Sequence, residues 1–133
     1  MNAANPSLLG GGGVDGAIHS AAGNRLYAAC KALEVEPGTL STRCPTGQAR
    51  VTSAGSLPCR RVIHTVGPVY SAASAAADRA ALGRAYRSSL MLAVVYDVKT
   101  VAFPSISSGI YGYPVGDGAK ARWGEERTRA AGY

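Results

Sequence analysis

Long apolar runs are missing from this chain of 133 residues, and so is any pair of cysteines at metal-ligand spacing. No stretch reaches the roughly 20 apolar residues of a membrane span. The first residues, Met1 to Pro6, lack the basic region and apolar run of an export signal, so neither export nor anchoring is indicated. Cys30, Cys44 and Cys59 are odd in number and far apart. That excludes a disulfide framework or zinc knuckle as the organising device and fits reduced thiols in a cytoplasm. Charge of one sign is also not gathered anywhere. The net charge of +6 comes from basic residues scattered between Arg25 and Arg129, with no basic stripe interleaved with aromatics. Such scatter favours solubility, and nucleic-acid binding is not expected as the main role. The length allows one compact domain and not two, so all motifs between residues 1 and 133 belong to one site.

What the chain has in abundance is glycine, 17 residues of it, beside an apolar fraction of 47%. This composition describes a globular domain with many tight turns. Gly10 to Gly13 lead into apolar or small residues at helical spacing, from Ala17 and Ile18 to Ala29 and Leu33, which predicts a glycine loop feeding one helix over 14–33. Pro37, Gly38 and Pro45 mark a loop. Residues 48–54 and 60–66 read as two strands around the turn Gly55-Ser56-Leu57-Pro58. Leu82, Tyr86, Leu90, Ala93 and Val94 predict an amphipathic helix over 75–96 that tolerates Gly83. A third strand is expected over 99–104, running into a second loop rich in small residues, Ser105 to Pro114. Repetition of strand, loop and helix argues for a layered α/β domain with its site at the carboxyl ends of strands. The tail after Val115 shows no clear period.

A diphosphate needs converging donors without side-chain bulk, and backbone N–H groups of glycine loops at a helix N-terminus supply them. Gly10 to Gly13 form one such place, and Ser107 to Gly112 could close from the other side. Neither loop matches a Walker or dinucleotide fingerprint, so a lone glycine run reads equally as a flexible connector. Asn2 and Asn5 carry carboxamides suited to a ribose with vicinal hydroxyls, or serve only as turn residues. Asp15 and His19, four apart, can project from one helix face toward the loop. Locally they also read as a carboxylate offsetting the helix dipole and an ordinary half-buried histidine. His64, alternating with Ile63 and Thr65, reads as structural.

Together, Asn2-Ala3-Ala4-Asn5, the run Leu8 to His19 and Ala21-Ala22-Gly23 resemble the hallmark of the MacroD-like macrodomains. Thr46-Gly47-Gln48-Ala49, Val62 to Pro68, Ala102-Phe103-Pro104 and Tyr111-Gly112-Tyr113-Pro114 resemble later family segments in the right order, and the likeness covers about 2–118. The resemblance implies a three-layer α/β/α fold with a mixed central sheet. It also implies binding of ADP-ribose and removal of ADP-ribosyl esters, from O-acetyl-ADP-ribose or from modified Asp and Glu side chains of a protein. Neither metal nor cofactor is implied. Carried over by position, Asn5 contacts the distal ribose, Ala4, Gly12, Gly13 and Val14 belong to the first binding segment, and Asp15 takes part in catalysis with His19 supporting it. Ser107, Ser108, Gly109, Ile110 and Tyr111 wrap the diphosphate, and Tyr111 also covers the distal ribose. Two other readings stay open at this stage: a noncatalytic ADP-ribose-binding module and an inactive fragment.

The chain departs from the pattern at both ends. Family members carry strands before the Asn-Ala-Ala-Asn element, including an aspartate that recognises adenine, and this sequence starts within the following strand. Residues 119–133 do not resemble the closing helix and strand. The expectation is therefore a partial macrodomain with an atypical tail, exposed sheet edges and weakened ligand affinity.

Overall fold

In a computed structural model, residues 1–130 are described, with side chains through Arg122. Three strands form the sheet: β1 (Asn2–Ala3), β2 (Ala49–Ser53) and β3 (Arg61–Thr65), in the order β1-β3-β2. β1 runs parallel to β3, with Asn2 opposite His64, and β2 runs antiparallel to it. The sheet is mixed, as the family resemblance implies. All of β3 after Arg61 is buried, because both sheet faces are covered.

Side chains alternate across these strands. Ala4, Val62, Val66 and Ala54 face a core that includes Ala22, Leu26 and Cys30. These last three belong to α1 (Gly13–Ala22) and α2 (Asn24–Lys31). On the other face, Ala49 and Ile63 meet Ala93 of α3 (Ala75–Val95). Beside them Leu82 and Tyr86 of α3 pack on Ile106, Tyr113 and Ala121, the last from α4 (Val115–Ala130). Helices therefore lie on both sides of the sheet, giving the expected three layers. A turn of 3-10 helix, Ala72–Ser74, precedes α3, and Asp78 accepts from Ser71 N and Ser74 Oγ to fix that entry.

Three sequence expectations are revised. The helix over 14–33 is two helices, because Gly23 adopts φ 74°, a left-handed conformation open to glycine, and the chain restarts there as α2. Apolar periodicity runs through the break and hides it. Residues 99–104 do not form a strand. Met1 N donates to Ala102 O at 2.8 Å, but β1 offers only two ladder residues and Pro104 has no N–H to extend the pairing. Residues 115–130, without clear period in the sequence, are the helix α4. Residues 131–133 of the atypical tail lie outside the described residues.

Candidate active site

A cleft of about 260 Å³ opens at the carboxyl ends of β1 and β3, between the two glycine-rich loops. Its first wall is the entry to α1. Gly12 is the N-cap in extended conformation, and no side chain caps the helix. The first intrahelical bond recorded there is Gly16 N to Gly12 O at 3.2 Å. First-turn N–H groups of an α-helix have no intrahelical partner, so Gly13 and Val14 present donors, and the positive end of a dipole, to whatever fills the cleft. Bulk is excluded here: a methyl on Gly16 would stand 2.5 Å from Gly11 O.

Opposite lies the second loop. Ser107 takes φ 63°, uncommon for a side-chain-bearing residue, and its hydroxyl is buried without a partner. The loop is closed on itself by Tyr113 N donating to Ser107 O at 2.8 Å and fastened to the segment after β3 by Tyr70 N donating to Tyr111 O at 2.8 Å. Burial, and secondarily the charge of Asp15, pushes the Tyr111 phenol above its ordinary value, so it faces the cleft as a neutral donor.

The floor holds the polar groups. Asn5 is oriented by three bonds: its Nδ2 donates to Gly10 O at 2.9 Å, and its Oδ1 accepts from Ser7 Oγ at 2.7 Å and Ser7 N at 3.2 Å. One Asn5 N–H remains for a ligand. Asp15, only 3% exposed, receives the Asn2 amide on Oδ1 at 2.8 Å. A methyl placed on Gly11 would lie 3.1 Å from Asn5 Nδ2 and 3.2 Å from Asp15 Oδ2. A donor and a carboxylate oxygen thus converge on one small space, which only glycine at position 11 leaves open.

The structure brings together most of the residues singled out in the sequence. Ala4, Asn5, Gly12, Gly13, Val14 and Asp15 line the cleft, and so do Ser107, Gly109, Ile110 and Tyr111. Two lie outside the lining. Ser108 turns its hydroxyl to Ser105 O at 3.0 Å, and His19 sits one turn behind Asp15, with Nε2 3.5 Å from Asp15 Oδ1 and no hydrogen-bond partner. Asn2, read as a ribose contact or turn residue, is neither. It is fully buried beneath the site, where its amide reaches Asp15 and, at 3.1 Å, His64 Nδ1. Sequence reasoning missed Gly11 as a separate spacer and Gly67 as lining. The signal for Gly67 was its place directly after a buried strand. Among the described residues, no group of three or more His, Cys, Asp and Glu is arranged to hold a metal ion, and no helix is long and apolar enough to cross a membrane.

The profile of the family described as "Macro domain" matches residues 1–121. The chain belongs to the Macro domain family. Its macrodomain sequence is 52% identical over 120 residues to an O-acetyl-ADP-ribose deacetylase of Klebsiella pneumoniae, covering 90% of this chain and 66% of that protein. The structure superposes on an Oceanobacillus iheyensis macrodomain with ADP at a TM-score of 0.86 and 42% identity, covering 96% of this chain and 66% of the other. A Trypanosoma brucei macrodomain in complex with ADP-ribose gives 0.82 and 38% identity, over 99% of this chain and 51% of that one. This macrodomain therefore spans just under two thirds of the curated relative named above.

Proposed function

We propose that this macrodomain binds ADP-ribose and hydrolyses ADP-ribosyl esters, either O-acetyl-ADP-ribose or ADP-ribose esterified to Asp or Glu side chains. The observation that carries this reading is the convergence of Asn5 Nδ2 and Asp15 Oδ2 beside Gly11, on the floor of a cleft whose walls suit a diphosphate. Similarity to the Klebsiella deacetylase and to macrodomains bound to ADP and ADP-ribose supports it.

In this reading the diphosphate lies between the α1 entry and the loop of Ser107 to Tyr111, with the distal ribose over Asn5. Asp15 holds a water and takes its proton as that water adds to the ester carbonyl carbon. The carbonyl–ribosyl oxygen bond then breaks, the proton passes to the departing ribose oxygen, and a carboxylic acid and ADP-ribose leave. A positioned general base contributes about 100- to 10,000-fold. Free cysteines at 30, 44 and 59 favour a reducing compartment, the cytoplasm.

The experiment is a thermal unfolding scan with and without ADP-ribose, followed by O-acetyl-ADP-ribose turnover. A ligand-dependent rise in Tm with turnover that Asp15→Ala abolishes is the expected result. Binding without turnover leaves a noncatalytic ADP-ribose module; a Tm indifferent to ligand removes both.

A further inference from the structure

His64 does not line the cleft, yet it is tied to Asp15 through a single residue. Asn2 Nδ2 lies 2.8 Å from Asp15 Oδ1 and 3.1 Å from His64 Nδ1, and all three residues are buried. Only a donor can face a carboxylate oxygen at that distance, which fixes the Asn2 amide with nitrogen toward Asp15. The same nitrogen then offers its second hydrogen to His64, so Nδ1 must be the unprotonated ring atom and Nε2 must carry the hydrogen. Thr52 Oγ1 stands 2.9 Å from Nε2 and donates its own hydrogen to Ser53 O at 2.9 Å, leaving a lone pair for Nε2–H. Cys30 Sγ, 3.6 Å from Nε2, is a second, weaker acceptor. The Asn2 amide donates both ways, to Asp15 and to His64, and from His64 onward each donor points away from the cleft and ends on the Ser53 carbonyl of β2.

We propose that His64 is a positioning residue for hydrolysis: its Nδ1 lone pair, held in place by Thr52, orients the Asn2 amide so that Asp15 Oδ1 is occupied and Oδ2 faces the Gly11 space. Reversal of the His64 tautomer sets Nδ1–H against Asn2 N–H. The amide can relieve that clash only by turning its oxygen toward the Asp15 carboxylate. The register of β1 on β3, Asn2 opposite His64, builds the relay into the sheet. The inference rests on the hydrolase reading above.

Two variants separate positioning from packing. In His64→Asn the side-chain oxygen stands where Nδ1 was, so the acceptor for Asn2 survives; in His64→Gln the amide reaches the Nε2 position and the acceptor for Asn2 is lost. Both bury an imperfectly partnered amide, and both are expected to lower Tm. Misorientation of a reacting group costs on the order of 10- to 100-fold, so His64→Gln should lose that much kcat, with ADP-ribose affinity by calorimetry kept, and His64→Asn should recover most of it. Equal kcat in the two variants overturns the proposal. Nitrogen-15 NMR of the native chain at neutral pH tests it without turnover. The expected pattern is a neutral His64 protonated at Nε2, with Asn2 side-chain amide hydrogens protected from exchange in His64→Asn and not in His64→Gln. A His64 protonated at Nδ1, or Asn2 protection indifferent to the variant, removes the relay. Absent turnover with the NMR pattern intact instead fails the hydrolase reading.

Discussion

Asn2 gives one amide hydrogen to Asp15 Oδ1 from a position with no solvent exposure, and its pairing opposite His64 in the sheet fixes it there. The carboxylate at the head of α1 therefore takes its aim from the sheet as well as from its own helix. Removing Asn2 leaves a buried carboxylate without its hydrogen bond, which costs about 1–3 kcal/mol, more for a charged group. Asn2→Ala should lower Tm and reduce kcat by about 10- to 100-fold as Asp15 loses its aim. ADP-ribose affinity should change little, because Asn2 does not line the cleft. Steady-state kinetics beside calorimetry decide the matter; a variant that loses affinity but keeps kcat would mean Asn2 serves the binding loops instead.

Gly11 and Gly16 make a contrasting pair. Gly11 has no positive φ, so alanine is conformationally allowed there, but its methyl would occupy the space between Asn5 Nδ2 and Asp15 Oδ2. Gly11→Ala is expected to fold with a near-native Tm and lose about 100-fold or more in turnover, the loss typical of a misplaced reacting group. Gly16→Ala instead drives a methyl to within 2.5 Å of a backbone oxygen that cannot move aside cheaply, so it should lower Tm by distorting the α1 entry. Unfolding curves and turnover on both variants test the pair, and a fully active Gly11→Ala would place the reacting water elsewhere.

How much of this was written in the sequence can be seen residue by residue. The two strands around Gly55, the long helix α3 and the loop feeding α1 follow from short-range periodicity and turn chemistry, and they appear close to their expected bounds. Gly23 was visible as a glycine but not as a helix break, since Ile18, Leu26 and Ala29 keep helical spacing across it. The segment 99–104 has strand composition without a strand, because pairing depends on what a neighbour offers and β1 offers two residues. Asn5 and Asp15 were legible as candidate chemistry through their neighbours in the motif. Asn2 was equally conspicuous and its place was not, because its partners, Asp15 at the head of α1 and His64 on β3, come from distant parts of the chain. His64 read as structural, and its hydrogen-bond partners come from 2, 30 and 52, which no local pattern connects.

The second loop depends on the missing side chain of Gly67. A methyl there would come within 2.1 Å of Ser107 Oγ and 2.5 Å of Ile106 Cγ2. Ile106 is 2% exposed and locked in the core with Leu82 and Tyr86, so the loop cannot retreat without losing that packing. Gly67→Ala should therefore displace Ser107 and weaken ADP-ribose binding, with overpacking costing about 1–3 kcal/mol of stability. Isothermal titration against ADP-ribose checks this. Unaltered affinity would show that the loop's place in the binding site is not set by Gly67.

Acid should find the His64 relay before it finds the rest of the core. Burial first, and the nearby His19 second, lower His64 from an ordinary 6.5 to about 4. Between those values the unfolded chain binds a proton at this ring and the native one does not. Stability therefore rises with pH through the window; His64's contribution is complete above 6.5 and is lost as pH falls toward 4. A shift of that size corresponds to roughly 3 kcal/mol. His19 and Asp15 are the same in both proteins compared below. Urea midpoints measured across the window should fall steeply for the native chain and more shallowly for His64→Asn, which has no ring to protonate. Parallel curves for the two proteins would mean that His64 is charged in the native state well above pH 4, a charge that the Asn2 hydrogen bond to Nδ1 forbids.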